Sequence, residues 1–409
     1  MNRRAVITGM GCVSGLGTGV TETWDRAIRG DGAIRQLDRT EPEGRKARNM
    51  RGPAATIDPA AITGLLAKQD IRRLGRLDPF SEYALIAAIE AIAQANLADN
   101  SVLHDRTAIV LGSGSGGNAT FDTAYERLYA RDLATVHPQT IPASMISAPA
   151  GHIAMFFGIH GPAFVVASAC ASSANALGEA MHMIRSGRAD VAIAGGTEAC
   201  ISLGSWVAWQ SLGVIAPDTC RPFSQGRNGL ALGEGAAILI LESEEHAHAR
   251  GATILGELAG YGASSDATHA TAPDRSGIEA AIRSAHRDAA LETDRPALIS
   301  SHGTGTHLND VTETAAMHAI YQRAIDNHAV IATKSAHGHL IGAGGALEFL
   351  IGMKALSEGF APPVLNYLGP DPDCALPLVL EPRKISLDTL VSNSFAFGGL
   401  NAVLIGQIR

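Results

Sequence analysis

The chain of 409 residues lacks paired cysteines, a long apolar run and a basic excess. Its five cysteines, Cys12, Cys170, Cys200, Cys220 and Cys374, are scattered and form no CxxC pair. This pattern favours neither a disulfide framework nor a zinc site, and it is typical of a reducing cytosol, so we expect a cytoplasmic protein. No run of about 18 uninterrupted apolar residues occurs, which predicts no membrane span. The formal net charge of −8 argues against a nucleic-acid surface, which usually needs a basic excess.

Short β-branched runs that end in glycine recur along the chain and alternate with helical patterns. The runs include "AVITG", "TAIVLG" and "DVAIAGG", and one helical pattern is "SEYALIAAIEAIAQANL". Runs this apolar are usually buried on both faces, so the alternation predicts an α/β fold with largely parallel sheets. The length predicts two domains or one duplicated domain. We place the boundary near residue 250, which gives halves 1–250 and 251–409.

The segment "LGSGSGG", residues 111–117, fits the GxGxxG pattern of dinucleotide-binding folds. Such a fold needs a second strand that ends in an acidic residue about 20 residues further on. The chain instead continues as "YERLYARDLATVHPQTIPASM", which has helical and then irregular character. The segment is therefore interpreted as a glycine-rich turn.

Cys170 lies where the pattern changes from strand to helix, in "FVVASACASSANALGEAMHMIRSG". A helix that starts at this point directs its free N–H groups and its positive dipole end toward the sulfur. Both effects lower the pKa of a thiol, so we expect Cys170 to be a nucleophile exposed at a sharp turn. The other four cysteines are interpreted as small core residues.

Two further strand ends supply histidines. "ALISSHGTGTHLND" places His302 directly after an apolar strand, and "AVIATKSAHGHLIGAGGALE" places Lys334, His337 and His339 after another. Because α/β sheets build their sites at the carboxyl ends of strands, these side chains and Cys170 form a coherent set. A metal site is the alternative, but the HExxH spacing of zinc enzymes is absent.

The chain resembles the elongating, Cys–His–His type of β-ketoacyl-acyl-carrier-protein synthase. The resemblance runs in order through "VITGMGCVS", "ACASSANALGEA", "RPFSQGRNGLALGEGAAILILE", "SHGTGTHLND", "TKSAHGHLIGAGGALE" and "NSFAFGGLNAVL". It implies a thiolase fold, in which two similar halves form five layers, αβαβα. Initiating synthases lack the histidine of the KSxxGH motif, and thiolases carry a second catalytic cysteine where this chain reads "NSFAFGG".

The resemblance implies a decarboxylative Claisen condensation. An acyl chain moves from a carrier-protein thioester to Cys170, and a malonyl thioester then loses CO2 and attacks it. Neutral His302 and His339 stabilise the thioester oxygen, and Lys334 organises the site. The KSxxGH motif ends at His339, so His337 is expected to be a spectator or to support its neighbours.

The resemblance also implies supporting residues. Glu313 is expected to be the acidic partner of Lys334, with Asp310 one helical turn before it. The backbone N–H groups of Cys170 and Phe397 form the oxyanion hole, and Phe397 is also a gate. The residues expected to contact substrate are Thr304 and Thr306, at the phosphopantetheine arm, and Ser115, at the acyl pocket.

The implied partner is an acidic acyl carrier protein, which brings the substrates on phosphopantetheine; no other cofactor, metal or nucleic acid is expected. The basic residues proposed for the docking surface are the cluster Arg72, Arg73 and Arg76, together with Arg127 and Arg131, although an ordinary solvated helix face explains them as well. The resemblance further implies a homodimer, with "FVVASA" at the interface, or a heterodimer with a related subunit.

Three features of the sequence favour an accessory or type II polyketide pathway. Where the elongating family usually reads "NSFGFGGTN", this chain has Ala396 in place of a glycine and Leu400 in place of a threonine. Ser115 is small, whereas some relatives carry a bulky residue at that position. Two other functions stay open: a thiolase-fold acyltransferase or decarboxylase with different chemistry, and a partner subunit of a heterodimeric polyketide synthase.

Overall fold

A computed structural model describes residues 3–41, 48–97 and 105–408. The strands in these ranges are β1 (Ala5–Ser14), β2 (Arg35–Glu41), β3 (Arg48–Ala55), β4 (Thr107–Gly112), β5 (Ala163–Val166), β6 (Val191–Glu198), β7 (Leu232–Gly233), β8 (Gly235–Ser243), β9 (Gly256–Ser265), β10 (Leu298–Ser300), β11 (Ala329–Ile331), β12 (Phe360–Ala361), β13 (Arg383–Lys384), β14 (Thr389–Ala396) and β15 (Leu400–Gln407). The boundary predicted near residue 250 falls just before β9, and the division into two domains stays a prediction.

Helices connect most of these strands. They are α1 (Val20–Arg29), α2 (Pro59–Leu66), α3 (Pro79–Gln94), α4 (Asn118–Tyr125), α5 (Thr140–Ser144), α6 (Ala148–Phe157), α7 (Ser172–Arg185), α8 (Leu203–Leu212), α9 (Glu244–Ala249), α10 (Arg275–Asp288), α11 (His307–Tyr321), α12 (Lys334–His337) and α13 (Gly344–Glu358). In the described part of the chain, none of them has the length and apolar character needed to cross a membrane.

The main sheet has the strand order β11-β10-β14-β15-β9-β1-β8-β6-β4-β5. It divides into two halves of five strands that meet where β1 pairs with β9. In each half one strand has parallel neighbours on both sides, β4 in the first half and β10 in the second, and the remaining pairs are antiparallel. The expectation of largely parallel sheets was therefore wrong. A short turn joins β14 to β15, and such a turn can connect only antiparallel strands.

The helices and the two halves of the sheet form five layers, as expected. Helices α3 and α6 cover the outer face of the first half, and α10 and α11 cover the outer face of the second. Helices α7 and α13 pack against each other and against strands of both halves, so they form the central layer. Two similar halves thus share one buried helical layer.

Helix α3 shows how closely the outer helices approach the sheet. Asp78 caps its start by accepting the N–H of Phe80 at 3.2 Å, and Pro79 occupies its first position. Gly9 and Gly11 of β1 face this helix, and a Cβ added at either would lie 2.1 Å from a helix carbonyl oxygen. Both positions must be glycine, because a side chain would push the helix off the sheet.

The strand β5, from the segment "FVVASA", is less buried than its apolar sequence predicts. It is the last strand in the order of the main sheet and pairs with β4. Ala163 and Phe164 are exposed, and Val165 and Val166 are half-buried. An edge position explains the exposure, because one side of the strand has no neighbour in the sheet.

Candidate active site

Cys170 lies in a strained turn between β5 and α7. Ala169, just before it, has φ +49°, a left-handed conformation that costs about 1–2 kcal/mol for a residue with a Cβ. The hydroxyl of Ser172 holds the turn: it accepts the N–H of Ser168 at 2.9 Å and donates to the carbonyl of Ala169 at 2.6 Å. The chain therefore turns sharply, and the side chain of Cys170 lines a cavity.

The Cys170 thiol is not acidified in this site as the sequence suggested. Burial raises the pKa of Cys170 to about 12, although the charge of Lys334 and hydrogen bonds from the backbone N–H groups of Phe397 and of Cys170 itself oppose the increase. The expectation of a lowered pKa was wrong, because desolvation of the thiolate outweighs the helix start and the lysine. The resting thiol is protonated near pH 7.

Two histidine rings face each other beside Cys170. His302 follows β10, and His339 follows α12; their ring centroids are 5.4 Å apart and their planes meet at 84°. Both rings are buried, and both line the same cavity as Cys170. Burial lowers the pKa of each well below 6.5, and the charge of Lys334 acts in the same direction. Both imidazoles are therefore neutral near pH 7.

The hydrogen bonds assign the same tautomer to both rings. The Nδ1 atom of His302 lies 3.3 Å from Nζ of Lys334, an ammonium group that can only donate. The Nδ1 atom of His339 accepts the backbone N–H of Ile341 at 3.3 Å. Since each Nδ1 is an acceptor, each neutral ring carries its proton on Nε2, where it can serve as a hydrogen-bond donor.

Lys334 is fully buried and connects several parts of the site. It donates to the carbonyl of His302 at 2.6 Å and forms an ion pair with Glu348 of α13. The sequence analysis assigned Glu313 as the acidic partner of the lysine, and the structure corrects this assignment to Glu348. The reason is the path of the chain: α13 starts just after the His339 turn and crosses behind the lysine.

Glu313 and Asp310 instead fix the loop that carries His302. Glu313 accepts the N–H groups of His302 at 2.7 Å and of Gly303 at 2.9 Å, and Asp310 accepts the N–H of Gly305 at 3.3 Å. Burial raises the pKa of Glu313 to about 7 and of Asp310 to about 6. Both carboxylates lie on the buried face of α11, so they support the site through the backbone.

The cavity has a volume of about 330 Å³ and brings most of the predicted residues together. The predicted residues that line it are Cys170, His302, Thr304, Thr306, His339 and Phe397. Ser115 is not among the residues that line it: its side chain donates to Glu198 at 2.6 Å, on the other side of the glycine turn. The assignment of Ser115 to the acyl pocket stays a prediction.

Comparisons with known proteins agree with this geometry. The family model described as "Beta-ketoacyl synthase, N-terminal domain" matches residues 2–247, and its C-terminal counterpart matches residues 255–368. Nodulation protein E of Rhizobium sp. (strain N33) is 41% identical over 409 residues, which cover 99% of each chain. The 3-oxoacyl-(acyl-carrier-protein) synthase 2 of Staphylococcus aureus (strain COL) is 35% identical over 412 residues, covering 99% of this chain and 98% of that one.

The chain belongs to the beta-ketoacyl synthase family. Among solved structures, the ishigamide ketosynthase/chain length factor aligns with a TM-score of 0.91 and 33% identity over 100% of both chains, which confirms the expected thiolase fold. This synthase is an elongating acyltransferase. It catalyses the decarboxylative Claisen condensation that extends a fatty acid or polyketide chain.

The synthase has cavity residues that the sequence analysis missed. Trp209 of α8 stacks on Phe397, with ring centroids 6.1 Å apart and planes at 27°. Arg227 also lines the cavity and lies 3.2 Å from Nδ1 of His307. Arg227 belongs to the quoted "RPFSQGRNG" motif, so the sequence could have identified it as a candidate site residue. Trp209 had no such signal, because only the packing of α8 brings its ring against Phe397.

His337 has its own hydrogen bonds and does not line the cavity. Its Nδ1 donates to the carbonyl of Gly338 at 2.7 Å, and its Nε2 lies 2.9 Å from the hydroxyl of Thr333. Burial lowers the pKa of His337 to about 3. The His337 ring stabilises the α12 turn through these two hydrogen bonds, whereas the His339 ring, two positions later, lines the cavity.

The five arginines suggested for the carrier-protein footprint are all exposed. Arg72 pairs with Asp70 at 2.8 Å and Arg131 with Glu126 at 2.8 Å, which reduces the local positive charge. Arg73 donates to a backbone carbonyl. Across residues 3–41, 48–97 and 105–408, no cluster of three or more His, Cys, Asp and Glu side chains could hold a metal ion.

Proposed function

We propose that Cys170 carries the acyl chain and that His302 and His339 stabilise the malonyl half of the reaction. One observation carries this proposal: a buried thiol shares a cavity with two neutral imidazoles, each of which has its proton on Nε2. The arrangement is stabilised by Lys334 and Glu313, which bond the backbone of His302, and by Glu348, which pairs with Lys334. Thr304 and Thr306 line the same cavity and supply polar groups for the phosphopantetheine arm.

The first step transfers the acyl group to sulfur. The Cys170 sulfur attacks the thioester carbonyl, the carbon–sulfur bond to the carrier breaks, and the thiol proton moves to the departing pantetheine sulfur. The backbone N–H groups of Cys170 and Phe397 point toward the sulfur and donate hydrogen bonds to the carbonyl oxygen as negative charge develops on it. Because burial keeps the Cys170 thiol protonated, its proton is available for transfer to the departing pantetheine sulfur.

The second step forms the carbon–carbon bond. The malonyl thioester loses CO2, and the electron pair of the broken bond passes to the thioester enolate. The Nε2–H groups of His302 and His339 donate to the enolate oxygen, a task that requires neutral rings with that tautomer. The enolate carbon then attacks the acyl carbonyl, and Cys170 leaves as a thiolate that takes up one proton.

The substrates arrive on the phosphopantetheine of an acidic acyl carrier protein, and no further cofactor or metal takes part. The enzyme acts in the cytoplasm, where the carrier protein delivers its substrates. The exposed arginines at positions 72, 73, 76, 127 and 131 form the surface that binds the carrier protein. This assignment rests on their exposure and charge, together with the carrier protein in the name of the Staphylococcus relative. Local charge steers an acidic partner even when the net charge is −8.

The synthase acts as a dimer through the edge of β5. Phe164 of β5 is exposed, as are Ile141, Met145, Met155 and Tyr129 on the neighbouring helical segments. Exposed apolar side chains together with an open strand edge fit a second subunit of the same fold. A homodimer and a heterodimer with a chain-length-factor-like subunit both meet this requirement, and the solved ketosynthase/chain length factor supports the second.

The pathway is an accessory one, such as nodulation-type lipid or type II polyketide synthesis. The similarity to nodulation protein E over 99% of both chains supports this, as do Ala396 and Leu400 in the gate segment. The small side chain of Ser115 supports an acyl pocket that accepts a longer or bulkier chain.

Mass spectrometry of the intact chain tests the proposal. After incubation with carrier proteins that bear acyl chains of graded length, we expect one acyl adduct per chain, on Cys170, and turnover when malonyl-carrier protein is added. Cys170→Ala should give neither adduct nor product while keeping the unfolding temperature. An adduct on another residue, or acylation that persists in C170A, would overturn the assignment. Release of CO2 without a condensation product would favour a decarboxylase.

A further inference from the structure

Glu198, at the end of β6, is a buried carboxylate to which the reaction gives no role. It is fully buried and is not among the residues that line the cavity. It accepts five hydrogen bonds, all from neutral groups. The donors are the N–H groups of Gly114 (2.7 Å), Ser115 (3.2 Å) and Gly342 (3.0 Å) and the hydroxyls of Ser115 (2.6 Å) and Ser113 (3.3 Å).

These donors come from two segments that meet behind the active site. One is the glycine turn after β4, and the other is the turn Ile341–Ala343, which leads from His339 into α13. A Cβ added to Gly342 would lie 2.3 Å from the backbone nitrogen of Gly114. The two segments are therefore packed backbone to backbone, and the Glu198 carboxylate joins them.

The turn held by Glu198 is strained. Ile341 has φ +44°, a conformation that is a clear outlier for a β-branched residue. The N–H of this same residue donates to Nδ1 of His339. If Ile341 relaxed to a negative φ, its peptide plane would rotate and the ring would lose the donor that sets its tautomer.

We infer that Glu198 is a positioning residue for His339. By holding the N–H of Gly342, it keeps Ile341 in its strained conformation, and the Ile341 N–H in turn keeps the His339 proton on Nε2, facing the cavity. Of the three catalytic side chains, only His339 is positioned through the hydrogen bonds of Glu198, and toward Cys170 the residue acts only through its charge, which raises the pKa of the thiol. His302 has a separate support in Lys334 and Glu313, and the Cys170 turn is held by Ser172.

The inference rests on the proposed roles of His302 and His339, and the experiment separates the two. In Glu198→Gln, an NH2 group replaces one acceptor oxygen, and in either orientation of the amide it faces a backbone N–H: that of Ser115, or those of Gly114 and Gly342. We expect condensation with malonyl-carrier protein to fall about 10²-fold, the loss typical of one misplaced donor, while acylation of Cys170 stays within about threefold of the parent chain. Wild-type acylation at Cys170 tests the function, and the ratio of the two rates tests Glu198.

A spectroscopic measurement identifies the cause. With 15N-labelled histidine, the His339 ring of the parent chain should show a protonated Nε2 and an unprotonated Nδ1, and E198Q should shift the population toward protonated Nδ1. The matched control is Glu242→Gln, since Glu242 is another buried carboxylate on the adjacent strand β8, where it lies opposite Val191, at the far end of β6 from Glu198. Its loss should lower stability without changing the ratio of the rates.

Three outcomes would overturn the inference: equal losses of acylation and condensation in folded E198Q, an unchanged His339 tautomer, or the same change of ratio in E242Q. If E198Q does not fold, Glu198→Asp takes its place. Aspartate keeps the charge, but its shorter side chain cannot reach both segments, so the same selective loss of condensation is expected. Full condensation in E198D would contradict the inference.

Discussion

The turn Ala169–Ala171 leads into α7 in the same way that the turn Ile341–Ala343 leads into α13. In each turn the first residue has a positive φ, +49° for Ala169 and +44° for Ile341. The second residue differs: it is Cys170 in one half, where its side chain enters the cavity, and Gly342 in the other, where its N–H is bound by Glu198. One backbone geometry thus serves two purposes.

The difference shows how a duplicated fold builds one asymmetric site. The turn of the first half presents Cys170, the proposed nucleophile, and the hydroxyl of Ser172, at the start of α7, holds it through the Ala169 carbonyl. The second half uses its turn to orient His339, and a carboxylate from the other half of the sheet holds the strain. Because the second turn depends on a distant residue, the two turns should respond differently to mutation.

The largest effect is expected from the histidines. His302→Asn and His339→Asn each remove a donor to the enolate oxygen, so condensation should fall about 10²–10³-fold. Acylation of Cys170 should change little, because the backbone N–H groups serve that step. Separate assays of acylation and condensation measure this contrast. Parallel losses in both steps would mean that the imidazoles also activate the thiol, and the division of labour between the halves would fail.

A second prediction concerns His337, the buried histidine that does not line the cavity. Burial lowers the pKa of His337 to about 3 from 6.5, so below pH 6.5 the unfolded chain binds a proton that the folded ring does not. Folding stability is therefore lost as the pH falls from 6.5 toward 3. In His337→Asn this loss should be smaller by about 1.4 kcal/mol per pH unit.

Urea unfolding at several pH values between about 5 and 7 measures the effect. His160→Asn, at an exposed position, is the matched control and should keep the parental pH dependence. A parental slope in H337N would show that the ring is accessible to protons in the folded state.

The third prediction concerns the surfaces of the two halves. Reversing the charge of Arg72, Arg73 and Arg76 should weaken use of acyl-carrier protein about tenfold, with little change for a small N-acetylcysteamine thioester. Arg283 and Arg287, on the outer helix of the second half, are the matched control. Steady-state kinetics with both substrates separate docking from chemistry. Equal losses with the two substrates would show that the mutations disturb the fold.

The smallest effect is expected at Ala169. Ala169→Gly relieves a left-handed conformation that costs about 1–2 kcal/mol, and the flexibility of glycine cancels about half of the gain. The free energy of unfolding should rise by roughly 0.5–1 kcal/mol in denaturant titrations. A lower value would mean that the Ala169 side chain contributes contacts that outweigh the strain, and the likeness of the two turns would then be limited to the backbone.

The order of motifs in the sequence identified the chemistry. A cysteine at a strand-to-helix junction, histidines after two strands and a KSxxGH motif were sufficient to select Cys170, His302, Lys334 and His339, and all four lie together. The same pattern gave the wrong acidic partner for Lys334 and the wrong sign for the Cys170 pKa. It also suggested sheets more parallel than those observed.

These errors have a common physical reason. The spacing of residues in a sequence fixes which side of a strand or helix a side chain occupies. Spacing alone was therefore sufficient to predict the α/β class and the residues at the strand ends. Burial, the approach of α13 to Lys334, the stacking of Trp209 on Phe397 and the five bonds to Glu198 depend on contacts between segments far apart in the chain. Only the tertiary structure decides these, because desolvation and hydrogen-bond partners are properties of the packed core.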